Sequence, residues 1–335
     1  MATPMIPPAA APAFLAAHGW GGAEILPLAG DASFRRYFRV VEGARTAVLM
    51  DAPPDKEDSR PFLAIASHLV DQGFAAPRAL AVDLAQGLIL LEDFGDARVT
   101  RVLAEEPARA LEIYTKAIEV LAALHRLAPP QTLAPYDRAV LECELLLFPE
   151  WYMPAMGLKA ESESFLAAWR EVLPPVLEET TANPILVLRD FHADNLMLLK
   201  AGAGVQSLGL LDFQDALAGH PAYDLVSLLQ DARRDVSMGL ERQMLDCYWQ
   251  AMGIENGTAF RRAYDVLGAQ RNIKILGIFT RLWKRDNKPH YRSFQPRVWG
   301  LLARNFTHPA LAPVRAWFDA HVPHDKRAAA WEAYL

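Results

Sequence analysis

Hydrophobic and polar positions change period once along the chain, close to residue 95. Before that point the apolar runs are short: EILPLAG (24–30), YFRVVEG (37–43), RTAVLMD (45–51), RALAVDL (78–84) and GLILLED (87–93). Gly30, Gly43 and the turn at Gln86-Gly87 punctuate them, as antiparallel strands require. A lead-in helix precedes the strands and one helix is inserted among them. One spans 9–19; the other spans 61–73, with proline at its start and glycine at its end. The polar, proline-bearing stretch 51–60 predicts a loop.

Beyond residue 95 the spacing becomes helical, as with Leu111, Tyr114, Ile118, Leu121 and Leu124. Helices are predicted over 107–127, 139–148, 161–179, 222–234, 239–253, 258–283 and 311–320. The runs ILVLRDFHADNLMLL (185–199) and SLGLLDF (207–213) form a β-rich insertion among them, read as a hairpin. The fold class is α+β. A small antiparallel β-sheet lobe over 1–92 precedes a larger, mainly helical lobe over 93–335.

Composition narrows the function classes. The 335 residues are 52% hydrophobic and 22% charged, enough for a sizeable core. The net charge of -6 disfavours nucleic acid as a partner. Cys143 and Cys247 match no metal-ligand spacing and are expected to be buried, reduced thiols. No run approaches the ~20 apolar residues of a membrane span. The first twenty residues contain no Lys or Arg, unlike a signal peptide. A soluble, cytoplasmic protein without a membrane partner is expected, as a monomer.

The sharpest chemical signal is Leu188-Arg189-Asp190-Phe191-His192-Ala193-Asp194-Asn195. Phosphoryl transfer needs an Asp to orient and deprotonate a hydroxyl and, five residues on, an Asn to hold magnesium. Asp190 and Asn195 have that spacing, although a polar hairpin loop often carries the same two residues. Asp212 in Leu211-Asp212-Phe213 ends the next apolar run, where a second magnesium ligand belongs. The ordered pair of blocks favours the chemical reading over two ordinary turns.

The blocks GDASFRRYFRV (30–40), MDAPPDKED (50–58), LRDFHADNLM (188–197), LDFQDALAGHPAYDLVSLLQDARRDV (211–236) and GIFTRLWKRDNKPHY (277–291) carry a resemblance. The chain resembles the aminoglycoside phosphotransferase-like kinase superfamily. Within it, the chain is similar to the bacterial anomeric sugar kinases that phosphorylate N-acetylmuramate and N-acetylglucosamine at C1. The resemblance implies a bilobal protein-kinase-like fold, ATP and Mg2+ as cofactors, a small amino-sugar substrate and a role in peptidoglycan recycling. It makes Asp190 the catalytic base, Asn195 and Asp212 the metal ligands, and Asp224 a structural support for the catalytic loop. A helix-start charge is the plain reading of Asp224.

For the nucleotide, Gly30, Ser33, Arg35 and Arg36 lie in the loop expected to cover phosphates, and Glu92 and Phe94 in the linker expected to meet adenine. A hairpin turn and a domain junction are the plain alternatives. The third strand contains no Lys over 47–50 and the helix over 61–70 no acid, so the protein-kinase Lys–Glu pair is absent. Arg35, Arg36 or Lys56 would serve instead. Arg36 is favoured, because Phe38 and Val40 share its face and would roof the nucleotide.

For the acceptor the candidates are His192, Asp194, Glu144 and Trp151, each with a packing role as its alternative. The cations of 271–297 are read as a solvated helix face, with one or two free to meet an anionic substrate. A kinase for an aminoglycoside, choline or homoserine, and a nucleotide-binding pseudokinase, are the rival functions.

Overall fold

The computed structural model describes residues 5–30, 34–159, 161–200 and 202–327. In chain order the first elements are α1 (Ala11–Ala17), β1 (Glu24–Gly30), β2 (Arg36–Glu42), β3 (Arg45–Asp51), α2 (Arg60–Asp71), β4 (Ala79–Asp83), β5 (Leu88–Glu92) and α3 (Val99–Glu105). Then come α4 (Ala110–Leu124), α5 (Arg138–Leu145), α6 (Met153–Ala155), α7 (Ser162–Val172), α8 (Pro174–Ala182), β6 (Ile185–Val187), β7 (Leu196–Leu198), β8 (Leu208–Leu210) and β9 (Leu217–Gly219). The remaining helices are α9 (Ala222–Leu229), α10 (Met238–Met252), α11 (Thr258–Lys284), α12 (Gln295–Asn305) and α13 (Ala312–His321).

The chain packs as two compact units, and the expected break after residue 92 falls differently. Unit 1 is Met1–Pro107 with Asp194–Asp215; unit 2 is Ala108–Ala193 with Ala216–Leu335. The first unit runs past the linker because α3 continues it, and the β7–β8 hairpin pairs back onto its backbone: Leu198 N–H donates to Ala97 O (2.8 Å), and Leu210 N–H to Ala75 O (2.7 Å).

Unit 1 is built on an antiparallel sheet ordered β1-β2-β3-β5-β4. Alternation along β2 and β3 puts Phe38, Val40, Ala47 and Leu49 on one face. That face is buried with Phe14 and Leu15 of α1 and with Leu88 and Leu90 of β5. Apolar burial of this kind stabilises by about 25 cal/mol per Å², and the short α1 contributes Ala11, Phe14 and Leu15 to it. α2 has Pro61 in its first turn and buries Phe62, Ile65, Ala66 and Leu69, the i, i+3, i+4, i+7 stripe of an amphipathic helix.

In unit 2 the 27-residue α11 is the central helix, buried almost continuously from Ala263 to Gly277. Gly277 lets it approach another backbone, since a Cβ there would lie 2.5 Å from the Leu147 carbonyl. Phe148, Tyr152, Phe165, Trp299 and Phe318 form an aromatic cluster joining the turn 148–152 to α7, α12 and α13.

Several expected elements differ. The helix over 161–179 is two helices, because Pro174 supplies no N–H and starts a new one. The apolar runs around the catalytic loop do not form one hairpin: β6 pairs with β9 and β7 with β8. The loop between β6 and β7 separates them, with Arg189 at φ 70° reversing the chain. Helices α3 and α12 were not anticipated. Cys143 is exposed and Cys247 half-buried, because the buried side of α5 is Leu141, Glu144 and Leu145. Among the described residues no helix is long and apolar enough to cross a membrane.

Candidate active site

In unit 1 the β7–β8 hairpin brings Asn195 and Asp212 together. Asn195 directly precedes β7 and Asp212 follows β8 by two residues. Leu211 N–H donates to Asn195 O (3.0 Å) and closes the hairpin ends. Asn195 Nδ2 then donates to Asp212 Oδ2 at 3.2 Å. Asp212 has φ 59°, a left-handed conformation that costs a non-glycine residue about 1–2 kcal/mol. Its neighbours impose it: Phe213 is buried and stacks on Phe62 of α2 (5.2 Å, 8°), and Gln214 Nε2 donates to Asp212 Oδ1 (2.9 Å).

Arg35 points at the same carboxylate. It is 7% exposed, with Nη2 3.6 Å from Asp212 Oδ1. Arg36 points elsewhere: its Nε donates to Asp51 Oδ2 (2.8 Å), its Nη1 donates to Ile6 O (3.1 Å), and the guanidinium lies 5.8 Å from the Phe38 ring. The face of Phe38 and Val40 is therefore not a nucleotide roof, because α1 covers it. The shared face expected to serve Arg36 is thus covered, and of the two arginines Arg35 is the one beside Asp212.

Gly30 ends β1 opposite Arg36. Ser33 lies outside the described residues. Phe34 N–H donates to Glu57 (3.2 Å) and Lys56 stands 6.0 Å from the Phe34 ring, so segment 53–57 borders this turn. Glu92 ends β5 and receives Arg78 N–H through its Oε2 (3.4 Å). Phe94 rests on Gly209 of β8, where a Cβ would come within 2.5 Å of the ring; only glycine fits there. Arg39, which sequence reading missed, ties β2 to the linker by donating to Asp93 (3.2 Å), Asp96 (2.7 Å) and Gly95 O (3.1 Å).

In unit 2 the loop after β6 carries Asp190. The fully buried Asp224 of α9 accepts Leu188 N–H and Arg189 N–H, both at 2.8 Å, one on each carboxylate oxygen. Behind it His125 Nε2 lies 3.8 Å away, and His125 Nδ1 meets Tyr248 Oη at 2.8 Å. Two charge-assisted hydrogen bonds hold the strained Arg189 backbone (φ 70°) that aims the next residue.

The Asp190 side chain is 40% exposed and lies 3.6 Å from Arg271 Nη2. Burial alone would raise its pKa, but Lys274, Arg271, His192 and Arg189 outweigh it and hold the carboxyl below its ordinary value. His192 is buried, and burial pulls its imidazole pKa down. Arg233 Nη1 donates to its Nε2 at 3.4 Å.

Glu144 is buried with both oxygens engaged. Oε1 takes Arg189 and Lys274 Nζ (3.0 Å); Oε2 takes Tyr136 Oη (2.6 Å) and Gln270 Nε2 (2.9 Å). Trp151 is half-buried in the turn 148–152, and Asp194 is half-buried in the 3-10 turn Ala193–Asn195. Glu144, Asp190 and His192 lie on unit 2, whereas Asp194, Asn195 and Asp212 lie on unit 1.

Arg271 and Lys274 do not belong to a solvated face: they are 3% and 8% exposed. The sequence signal was the mixture of Gln270, Arg271, Asn272 and Lys274 with Ile273, Ile275 and Leu276. A helix buried all round shows that pattern when its polar groups are paired.

Residues 24–264 match the model of the phosphotransferase enzyme family (APH). A curated relative from Caulobacter vibrioides, named N-acetylmuramate/N-acetylglucosamine kinase, is 38% identical over 95% of this chain and 98% of its own. A relative of the same name from Pseudomonas aeruginosa is 39% identical over 87% of each chain. Among solved structures, a choline/ethanolamine kinase family protein from Mesorhizobium loti superposes with TM-score 0.59 at 16% identity, covering 91% of this chain and 98% of that one. An aminoglycoside phosphotransferase of Streptomyces rimosus in complex with ADP and streptomycin superposes with TM-score 0.54 at 18% identity, covering 79% and 99%. These two likenesses bear on the fold; the family match and the long, closely similar relatives bear on ancestry, and by them this chain belongs to the phosphotransferase enzyme family.

Proposed function

We propose that the protein is an ATP-dependent kinase for the anomeric C1 hydroxyl of N-acetylmuramate and N-acetylglucosamine, acting in cell-wall recycling. One observation carries this reading. Four relatives with that name are 36–39% identical over 85–95% of the chain.

Asp190 orients the C1 hydroxyl and receives its proton as the oxygen bonds to the γ-phosphorus and the bond from that phosphorus to the bridging oxygen breaks, releasing ADP. Its low pKa keeps it ionised at neutral pH, so it is ready as an acceptor. A hemiacetal hydroxyl is more acidic than an ordinary alcohol, which suits a carboxylate base. The transition state of phosphoryl transfer is loose, so positioning and charge balance supply most of the catalysis.

Asn195 and Asp212 would hold magnesium, which would supply positive charge against that of the phosphates. The donor set fits. One carboxylate and one carboxamide face each other, and no group of three or more His, Cys, Asp or Glu among the described residues forms a metal cage. Magnesium keeps waters and takes substrate phosphates as further ligands, so it needs no such cage. Arg35 supports the phosphates from beside Asp212.

Trp151 and Asp194 retain exposed surface and are the sugar contacts this reading keeps. His192 packs with Arg233, and Glu144 of α5 ties Arg189 to Lys274 of α11. Arg271 and Lys274 beside Asp190 disfavour a cationic acceptor such as an aminoglycoside or choline and suit the carboxylate of N-acetylmuramate. Asp190, Asn195 and Asp212 together disfavour a pseudokinase. The test is an ATP-consumption screen over amino sugars, aminoglycosides, choline and homoserine, with NMR assignment of the phosphorylated position. Turnover confined to a non-sugar alcohol overturns the reading.

A further inference from the structure

Arg271 is a deeply buried cation beside Asp190 with few partners for its burial. It sits mid-way along α11 at 3% exposure. Its Nη2 donates to Ser227 Oγ at 2.9 Å and lies 3.6 Å from Asp190 Oδ1. Its Nε and Nη1 are buried and meet no acceptor among the described residues. A buried guanidinium is costly unless a carboxylate compensates it, and the carboxylate set against Arg271 is that of Asp190. Ser227 in turn is fully buried on α9, three residues after Asp224 and therefore on the same helix face. One face of α9 thus holds the loop backbone through Asp224 and the guanidinium behind the loop's carboxylate through Ser227.

We propose that Arg271 is the positioning residue of Asp190, fixing the carboxylate's orientation and keeping it ionised for proton transfer from the acceptor hydroxyl. This rests on the reading of Asp190 as the base. Arg271 touches neither nucleotide nor metal ligands in this role. It donates no proton and loses none; the hydroxyl proton passes to Asp190 alone. The charged groups that act on Asp190 include Arg271 and Lys274 from α11 and Arg189 and His192 from its own loop. Lys274 and Arg189 also share Glu144, whereas Arg271 has no second carboxylate partner recorded among the described residues. Its loss therefore falls on Asp190.

The test compares Arg271→Gln, Arg271→Lys and Ser227→Ala with the wild type, after circular dichroism has shown each to be folded. Arg271→Gln should lower kcat by ~10- to 100-fold, the usual effect of a misplaced catalytic group, with KM for ATP unchanged. The acid limb of kcat/KM should move up by about one pH unit, because removing an opposite charge at this range raises a carboxyl pKa by that order. Arg271→Lys keeps the charge, so its acid limb should stay in place while kcat falls. Ser227→Ala should lower kcat without moving the limb.

A folded Arg271→Gln with the wild-type acid limb overturns the proposal, whatever its kcat. Should Arg271→Gln fail to fold, the lysine variant decides: wild-type kcat there removes the orienting role. Direct titration of the Asp190 carboxyl by carbon NMR, assigned with Asp190→Asn, needs no substrate. An Asp190 pKa that is the same in wild type and Arg271→Gln overturns the proposal even if no sugar is ever phosphorylated. A shifted pKa in a protein inactive on sugars instead rejects only the substrate assignment.

Discussion

Arg35 reaches to 3.6 Å from the Asp212 carboxylate, while its neighbour Arg36 turns to the opposite face of β2 and pairs with Asp51. Two adjacent arginines thus have different work. Arg35→Ala should lower kcat/KM for ATP by roughly 10- to 150-fold, the equivalent of a charge-assisted contact of ~1.5–3 kcal/mol. Arg36→Ala should keep ATP kinetics within a few-fold but leave the buried Asp51 short of a donor, costing about 1–3 kcal/mol. Steady-state kinetics and urea melts of both variants decide it. Wild-type ATP kinetics for Arg35→Ala would remove that residue from the nucleotide site.

Asp190→Asn should lower kcat by at least ~100-fold, the lower range for a positioned base, with KM for ATP little changed. The variant should also melt earlier than wild type, because the nearly inaccessible Arg271 loses its counter-charge. Single-turnover kinetics on verified protein together with calorimetry check both halves. Turnover near the wild-type rate excludes Asp190 as the base.

Asp212 permits a separation of chemistry from strain. Its φ of 59° is tolerated by Asn better than by Ala. Asp212→Asn should lose turnover yet keep its stability within about 0.5 kcal/mol, the range of a mild substitution. Asp212→Ala should lose both, by about 1 kcal/mol more in stability. Extra magnesium should partly rescue Asn195→Ala, and EDTA should stop the wild type. Undiminished activity of Asp212→Asn in EDTA would end the metal assignment.

The stability of the folded chain should fall on acidification below the ordinary carboxyl range. Asp190 and Glu144 both have depressed folded-state pKa values, with unfolded references of 3.8 and 4.5. A depressed pKa means that the unfolded chain binds protons first. The two groups therefore stabilise fully above pH 4.5, and their contribution disappears as pH drops through their folded values. Chemical denaturation from pH 7 to 3 measures this. Glu144→Gln should flatten the slope below pH 4.5, and an unchanged slope there would remove Glu144 from the account.

Much of this protein is legible in its sequence because the information is local. Strand alternation from Glu24 to Asp51, the proline-started α2 and the five-residue interval from Asp190 to Asn195 depend on near neighbours and covalent geometry. The antiparallel sheet and the ordered catalytic blocks follow from them. What only the tertiary structure decided is which face of an element is covered and what lies across from it. Helix α1 lies over Phe38 and Val40, and Arg35, not Arg36, stands beside Asp212. Strand β6 pairs with β9 and not with β8, a long-range choice that no local pattern carries. The cations of α11 look like a wet helix face in one dimension. Arg271 and Lys274 are buried because Asp190, Ser227 and Glu144 reach them from 44 to 130 residues away in the chain. Only a counter-charge brought so far along the chain makes such burial affordable.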